Sequence, residues 1–453
     1  MRRILIFGLL GLLACCLLAA VAALLPPVRE RLAWRVENAQ AQFQRWLNPP
    51  EAVVFVPAQT GPGAAETRAA ATLAVLLASA TPGPASPTAA SPDSLTAEST
   101  AAPTGEASPA SPTPEPPTPT FTPSPTPIPA AVKLQGVRHE YQVFNNCGPA
   151  NLSMTLSYWG WQGSQTDTRA FLRPNLKVDD KNVNPEEMVA FVQGSTGLRA
   201  LARVGGERDL LRRLIAAGFP VIIEKGHDPA DDSWMGHYLT LDGYDDAAGR
   251  FIAQDSLIMP DLPLPYAELD GEWRDFNRAF VVVYAPEREA ELLALLGPLS
   301  DPAGAYRYAA EQSLAEIPNL QGRPQFFAWF ALGSSLAGLG DYPGAADAYD
   351  QAFAIYATLP EDERPYRLMW YQSGPYQAYY NTGRYQDVVT LANTTFSWVG
   401  KPVLEESYYW RGLAYLALGN QNQAIADLTK AASLNPNYAP PRQELQKLGA
   451  PLP

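Results

Sequence analysis

Gln142-Val143-Phe144-Asn145-Asn146-Cys147-Gly148-Pro149-Ala150-Asn151-Leu152 is the stretch on which the reading of this chain turns. Cys147 is the single cysteine outside the N-terminal apolar segment, and a helical pattern begins at it. Leu152, Thr155, Leu156 and Trp159 recur at helical spacing, with Gly148 and Pro149 in the first turn, where a missing amide proton costs nothing. The unpaired amides and dipole at that end favour thiolate over thiol, and the thiolate is the form that attacks a carbonyl. A small buried hydrophobe is the competing reading, because free cysteines are commonly buried and inert.

A cysteine nucleophile needs an imidazole to take its proton and a third group to orient that imidazole. Two later apolar runs carry both. Gly236-His237-Tyr238-Leu239-Thr240-Leu241 precedes Asp242-Gly243-Tyr244-Asp245-Asp246, and Phe251-Ile252-Ala253-Gln254-Asp255-Ser256 follows Gly249. Apolar runs flanking an Asp- and Gly-rich turn predict a β-hairpin, with His237 and Asp255 on neighbouring strands. Asp255 would then accept a hydrogen bond from the imidazole and stabilise its charged form. Singly, His237 reads as well as a half-buried strand residue and Asp255 as a turn residue. The ordered set Cys, His, Asp favours catalysis.

These three segments resemble the bacteriocin-processing (double-glycine) peptidase-like branch of papain-fold cysteine peptidases, over roughly Leu134 to Pro286. The resemblance implies that Cys147 is the nucleophile, His237 the base and Asp255 its orienting partner. It also implies that an upstream glutamine, here Gln142, donates to the developing oxyanion beside the Cys147 amide. Gln142 stands one position nearer the cysteine than the family's usual spacing, and Asn145 and Asn146 are alternative donors. The implied fold is an α+β papain-like domain. Local signals agree: Asn184-Pro185-Glu186-Glu187 predicts a helix start, and a helix around Arg208 to Ala217 should stop at Gly218. Pro220 then precedes the buried-strand run Val221-Ile222-Ile223, giving helices first and antiparallel strands after.

Composition sets outer limits. With 453 residues, of which 47% are hydrophobic, the chain can form two or three cored domains. A net charge of -13 and no basic patch exclude nucleic acid as a partner, since that binding draws on cationic neutralisation of phosphates. No cofactor is expected. The loop His227-Asp228-Pro229-Ala230-Asp231-Asp232 lacks a ligand spacing and reads as a solvated acidic loop shaping the cleft, with Trp234 beside it, and not as a metal site.

Arg2 and Arg3 precede an apolar stretch from Ile4 to Leu25, long enough to span a bilayer, so residues 1–27 read as a signal anchor or signal peptide. Residues 28–80 form a juxtamembrane segment in which Val28, Leu32, Val36, Phe43 and Leu47 share one helical face. Residues 81–131 are Pro, Ser, Thr and Ala with one aromatic, Phe121, and predict a disordered linker reaching on the order of 150 Å at ~3.1 Å per residue. Such stalks favour an extracytoplasmic location on a single-pass membrane tether, or secretion if the N-terminus is cleaved.

Residues 132–298 are then the papain-like domain, and residues 299–453 an all-α solenoid resembling tetratricopeptide repeats. One copy has Trp329, Leu332, Gly333, Leu336, Ala345, Tyr349 and Ala352. A later copy has Tyr408, Gly412, Tyr415, Ala424, Leu428, Ala431 and Pro436. Tyr379, Gly383, Tyr385 and Val388 mark a weaker middle copy, and Ala303 to Glu316 an extra helix. The expectation is a tethered cysteine peptidase acting on a peptide or protein substrate, whose repeats bind a protein partner. The same residues also suit a non-catalytic peptide-binding adaptor or an acyl transferase. Because every candidate catalytic residue precedes Pro286, removing the repeats is expected to spare cleavage of short peptides.

Overall fold

Seven short runs, rich in β-branched and aromatic residues at their centre, build one antiparallel sheet. They are β1 (Ala131–Lys133), β2 (Arg199–Arg203), β3 (Val221–His227), β4 (Met235–Asp245), β5 (Arg250–Gln254), β6 (Leu262–Pro265) and β7 (Phe280–Tyr284). Their order is β2-β7-β3-β4-β5-β6, with β1 pairing to β4. The computed structural model describes scattered positions between 32 and 71, then residues 128–175, 183–229, 232–399 and 403–453. The expected membrane segment 1–27 and nearly all of the linker 81–131 lie outside the described residues. Among the described residues no helix is long and apolar enough to cross a membrane.

Helices α1 (Cys147–Tyr158), α2 (Gln165–Leu172), α3 (Pro185–Ser195), α4 (Arg208–Ala216), α5 (Tyr266–Trp273) and α6 (Glu289–Leu296) belong to the sheet-bearing part. Alternate side chains point to opposite faces of a strand. Ile222, Tyr238, Val281 and Val283 therefore meet Leu152, Leu156 and Met188 of α1 and α3. Val221, Ile223, Leu239 and Val282 meet Leu211 and Leu214 of α4 and Trp273 of α5 on the other side. The predicted helix start at Asn184 is present, its N–H donating to Glu187 Oε2 at 2.9 Å, and α4 ends at Gly218 in the left-handed region, φ +83°.

The predicted hairpin joins β4 to β5, but β4 runs on through Asp242-Gly243-Tyr244-Asp245, which the sequence reading assigned to the turn. The turn is Asp246 to Gly249. Asp242 is 1% exposed, and its charge is met inside the protein by Lys133 Nζ at 2.6 Å and Gln254 Nε2 at 2.9 Å. The register with β5 shifts there, which bends the strand.

Helix α7 (Pro302–Glu316) leads into α8 (Gly322–Gly338), α9 (Tyr342–Thr358), α10 (Leu368–Tyr371), α11 (Gly374–Asn381), α12 (Tyr385–Ser397), α13 (Glu405–Ala417), α14 (Gln421–Leu434) and α15 (Ala439–Lys447). Gly340, Gly383 and Gly419 each follow the first helix of a pair with φ between +75° and +81°, which makes the three turns equivalent. A Cβ on Gly333 would stand 2.8 Å from the Tyr349 ring, so the predicted small-large interlock of α8 and α9 is real. The middle pair is weak in sequence because residues 359–373, including α10, are inserted ahead of a short α11.

That insertion reaches back to the sheet. Arg367 donates to the Ser233 carbonyl and to Asp232 Oδ1, both at 2.8 Å, and Gln372 Nε2 donates to the Asp275 carbonyl at 3.3 Å. Asp228 pairs with Arg323 of α8 at 3.0 Å. Asp228 and Asp232 of the acidic loop thus meet the repeats, Asp228 with its side chain still 54% exposed and Asp232 largely enclosed. Trp234 likewise is 3% exposed, stacked 5.7 Å from Phe276 and packed on Phe327, within one apolar core shared by both parts. Asn435 to Glu187 at 3.2 Å and Asn184 to Glu406 at 2.6 Å join the far end of the repeats to α3.

Candidate active site

Cys147 opens α1 after a tight turn in which Asn145 takes φ +51°, a conformation asparagine tolerates better than most residues. Gly148 lets α3 pack closely beside it, since a Cβ there would lie 3.0 Å from the Met188 methyl and 3.2 Å from Val183. Asn151, one turn on, ties this helix to the strand carrying His237. Its Nδ2 donates to the Tyr238 carbonyl at 2.8 Å and to Ser256 Oγ at 3.2 Å, while Thr240 Oγ1 donates to its Oδ1 at 3.0 Å. All of these groups are buried, where a lost partner is most costly.

The pairing of Thr240 with Gln254 brings the start of β4 beside the end of β5. Asp255 follows β5 directly, and its Oδ1 lies 3.0 Å from His237 Nε2, with the two side chains 1% and 3% exposed. The same oxygen accepts from the Leu257 and Ile258 N–H groups at 2.8 and 3.0 Å, which fixes the carboxylate. The imidazole is also hydrogen-bonded to Cys147. His237 therefore lies between Cys147 and Asp255, with a hydrogen bond to each.

Their charges support one another. Burial alone would raise the Cys147 thiol, but the hydrogen bond and charge of His237, with backbone N–H groups, bring it below its ordinary value. Burial opposes the imidazolium too, yet the charge and hydrogen bond of Asp255, followed by Cys147, push His237 up to about 10. Against burial, His237 and the two backbone donors hold Asp255 down to about 2. Both shifts favour the charged forms, thiolate on Cys147 and imidazolium on His237. His227, its ring 5.6 Å from His237, is kept neutral by burial and by the neighbouring charge, its pKa lowered to about 4. Burial, foremost, raises Glu224 well above its ordinary carboxylate value.

Gln142 is 8% exposed, and its orientation is set by Ser256, whose Oγ donates to Oε1 at 2.7 Å. The Nε2 end is thereby left as the donor. Asn146 is turned inward, its Nδ2 donating to Gln165 Oε1 at 2.8 Å, so of the two alternative donors it is already committed. Two further contributors escaped the sequence reading. Asn151 was legible as a polar residue at the spacing of one helical turn from Cys147 on an otherwise apolar face. Tyr371 of α10 was not: it accepts a hydrogen bond from the Gly236 N–H, and burial foremost and the nearby Cys147 raise its phenol, so the repeats wall the site beside His237. At the outer rim the Phe144 N–H donates to Glu37 Oε2 at 3.3 Å, from a helical position in the segment 35–40. Among the described residues no cluster has the makings of a metal site.

Residues 132–261 match the model of the Peptidase_C39 like family, and residues 405–438 match that of the tetratricopeptide repeat. Both resemblances read from the sequence are borne out. A crystal structure described as a C39-like peptidase from Bacillus anthracis is similar at 17% identity, covering 34% of this chain and 96% of that one, with a TM-score of 0.29. No curated protein matches the chain.

Proposed function

We propose that the chain is a cysteine peptidase acting on a peptide or protein substrate, with Cys147 as nucleophile, His237 as acid and base, Asp255 as its orienting partner and Gln142 as oxyanion donor. The observation that carries this reading is the buried pair His237 Nε2 and Asp255 Oδ1, 3.0 Å apart, beside the half-buried Cys147. Sγ attacks the scissile carbonyl carbon, and the oxygen's new charge is met by the Cys147 N–H and Gln142 Nε2. As the intermediate collapses, the C–N bond breaks and His237 gives its proton to the leaving amine. Neutral His237 then takes a proton from water, whose oxygen attacks the thioester. The acid product leaves, and thiolate and imidazolium are restored.

The repeats supply protein binding beside the cleft. We place the folded body outside the cytoplasm, tethered by the apolar residues 4–25; the supporting feature is the sequence pattern of Arg2 and Arg3 followed by that apolar stretch. A thiol-reactive peptide probe tests the chemistry. Labelling at Cys147 that is lost in His237→Ala, with peptide hydrolysis abolished in Cys147→Ala, is the expected result. Hydrolysis by Cys147→Ala equal to that of the unaltered chain would overturn the mechanism, and absent labelling would favour the adaptor.

A further inference from the structure

Residues 53–58, Val-Val-Phe-Val-Pro-Ala, run extended against the helical part. Burial alternates from Phe55 on: Phe55 and Pro57 are buried and Val56 and Ala58 exposed, while Val53 is exposed and Val54 half-buried ahead of them. Phe55 meets Phe353 of α9 edge to face, centroids 4.9 Å apart, and lies 6.0 Å from Tyr379 of α11. The main chain is gripped on both sides of this anchor. Trp398 Nε1 donates to the Val53 carbonyl at 3.0 Å, and the Ala58 N–H donates to Asp387 Oδ1 of α12 at 3.2 Å. Asp387 is itself held by Arg384 Nε at 2.7 Å. Beyond Ala58 a cavity of about 280 Å³ continues along Gly383, Arg384, Gln386 and Leu418.

An aromatic anchor in a closed socket, with backbone polar groups matched at either end, is the chemistry by which proteins recognise extended peptides. We propose that the repeats carry a binding site for an extended apolar peptide with a central aromatic residue, and that its occupant is residues 53–58 of the same chain. The contacts already made select this occupant. A covalently attached segment also binds as an intramolecular ligand, which an external peptide must displace. None of these residues belongs to the candidate active site, so the proposal does not depend on peptidase activity.

A fluorescent peptide with the sequence of residues 51–59 is titrated into the full chain and into its Phe55→Asp variant. The variant, whose socket is emptied, should bind at least tenfold more tightly than the unaltered chain. Adding Trp398→Phe, which keeps the ring but removes the donor to the Val53 carbonyl, should weaken that binding severalfold. Equal binding to both chains, or no binding to a Phe55→Asp variant whose melting curve matches the original, would overturn the proposal. If that variant misfolds, hydrogen exchange on the unaltered chain decides: excess unlabelled peptide should accelerate exchange of the Ala58 amide, and an unchanged rate overturns it. Isotope-mixed samples in which the segment of one copy occupies the socket of another would overturn the assignment to the same chain.

Discussion

Replacing Asp255 with Asn probes the charge line at its most informative point. The amide keeps the shape, and its oxygen can still accept from the Leu257 and Ile258 N–H groups, so the turn should survive. What is lost is the charge, first among the influences that lift His237 to about 10 from its ordinary 6.5. At ~1.4 kcal/mol per pH unit that elevation is worth on the order of 5 kcal/mol, shared between Asp255 and Cys147. An equal share predicts a loss of about 2–3 kcal/mol in stabilising the ion pair, hence roughly a hundredfold in kcat/KM. Since the folded pKa of His237 is raised, its stabilisation is complete below pH 6.5 and disappears as pH rises through about 10. Asp255 is depressed, so its contribution is present above its ordinary value near 3.8 and is lost as pH falls through about 2. In the variant the alkaline limb of kcat/KM on a short fluorogenic peptide should move down by about two pH units, with melting less pH-dependent in both windows. A kcat/KM within twofold of the original with the alkaline limb unmoved would refute the assignment of Asp255.

Deleting residues 301–453 should lower the melting temperature of the remainder by more than ~10 °C and abolish short-peptide turnover, because Trp234 and Phe276 lose their cover and Tyr371 leaves Gly236; a fragment with unchanged melt and turnover would restore the view that the repeats are dispensable for chemistry. Asn151→Ala should cost about 2–3 kcal/mol in urea unfolding and reduce turnover, since the Tyr238 carbonyl and Thr240 lose a buried partner. Gly333→Val should destabilise by about 2–4 kcal/mol, with the loss visible first as increased proteolysis of α8 and α9, as the added carbons collide with Tyr349.

The catalytic candidates were legible because each stands at an element boundary that short-range chemistry announces: Cys147 after an Asn pair and before Gly-Pro, His237 and Asp255 on either arm of a hairpin. What failed was legible only in three dimensions. Asp242 looks like a turn residue until Lys133, far earlier in the chain, is seen to neutralise it in mid-strand. Asp232 and Trp234 look like cleft residues until Arg367 and Phe327 close over them. Neither partner is signalled by a local pattern. Tyr371 sits in an insertion whose only trace in the sequence is the irregular spacing of the repeat glycines.

The seat of Phe55 also changes what the Pro/Ser/Thr-rich run can do. Residues 53–58 are fastened to the repeats and β1 to the sheet, so the chain between them departs from and returns to one folded body. Such a loop adds nothing to the reach of the protein, whatever its length. The leash between the first 27 residues and the body is the stretch up to Glu37, whose carboxylate already meets the Phe144 N–H, at most ~35 Å when fully extended. A protease that nicks the loop would leave the first residues joined to the body through these contacts in place of the chain, one aromatic ring, an indole N–H and the carboxylates of Asp387 and Glu37.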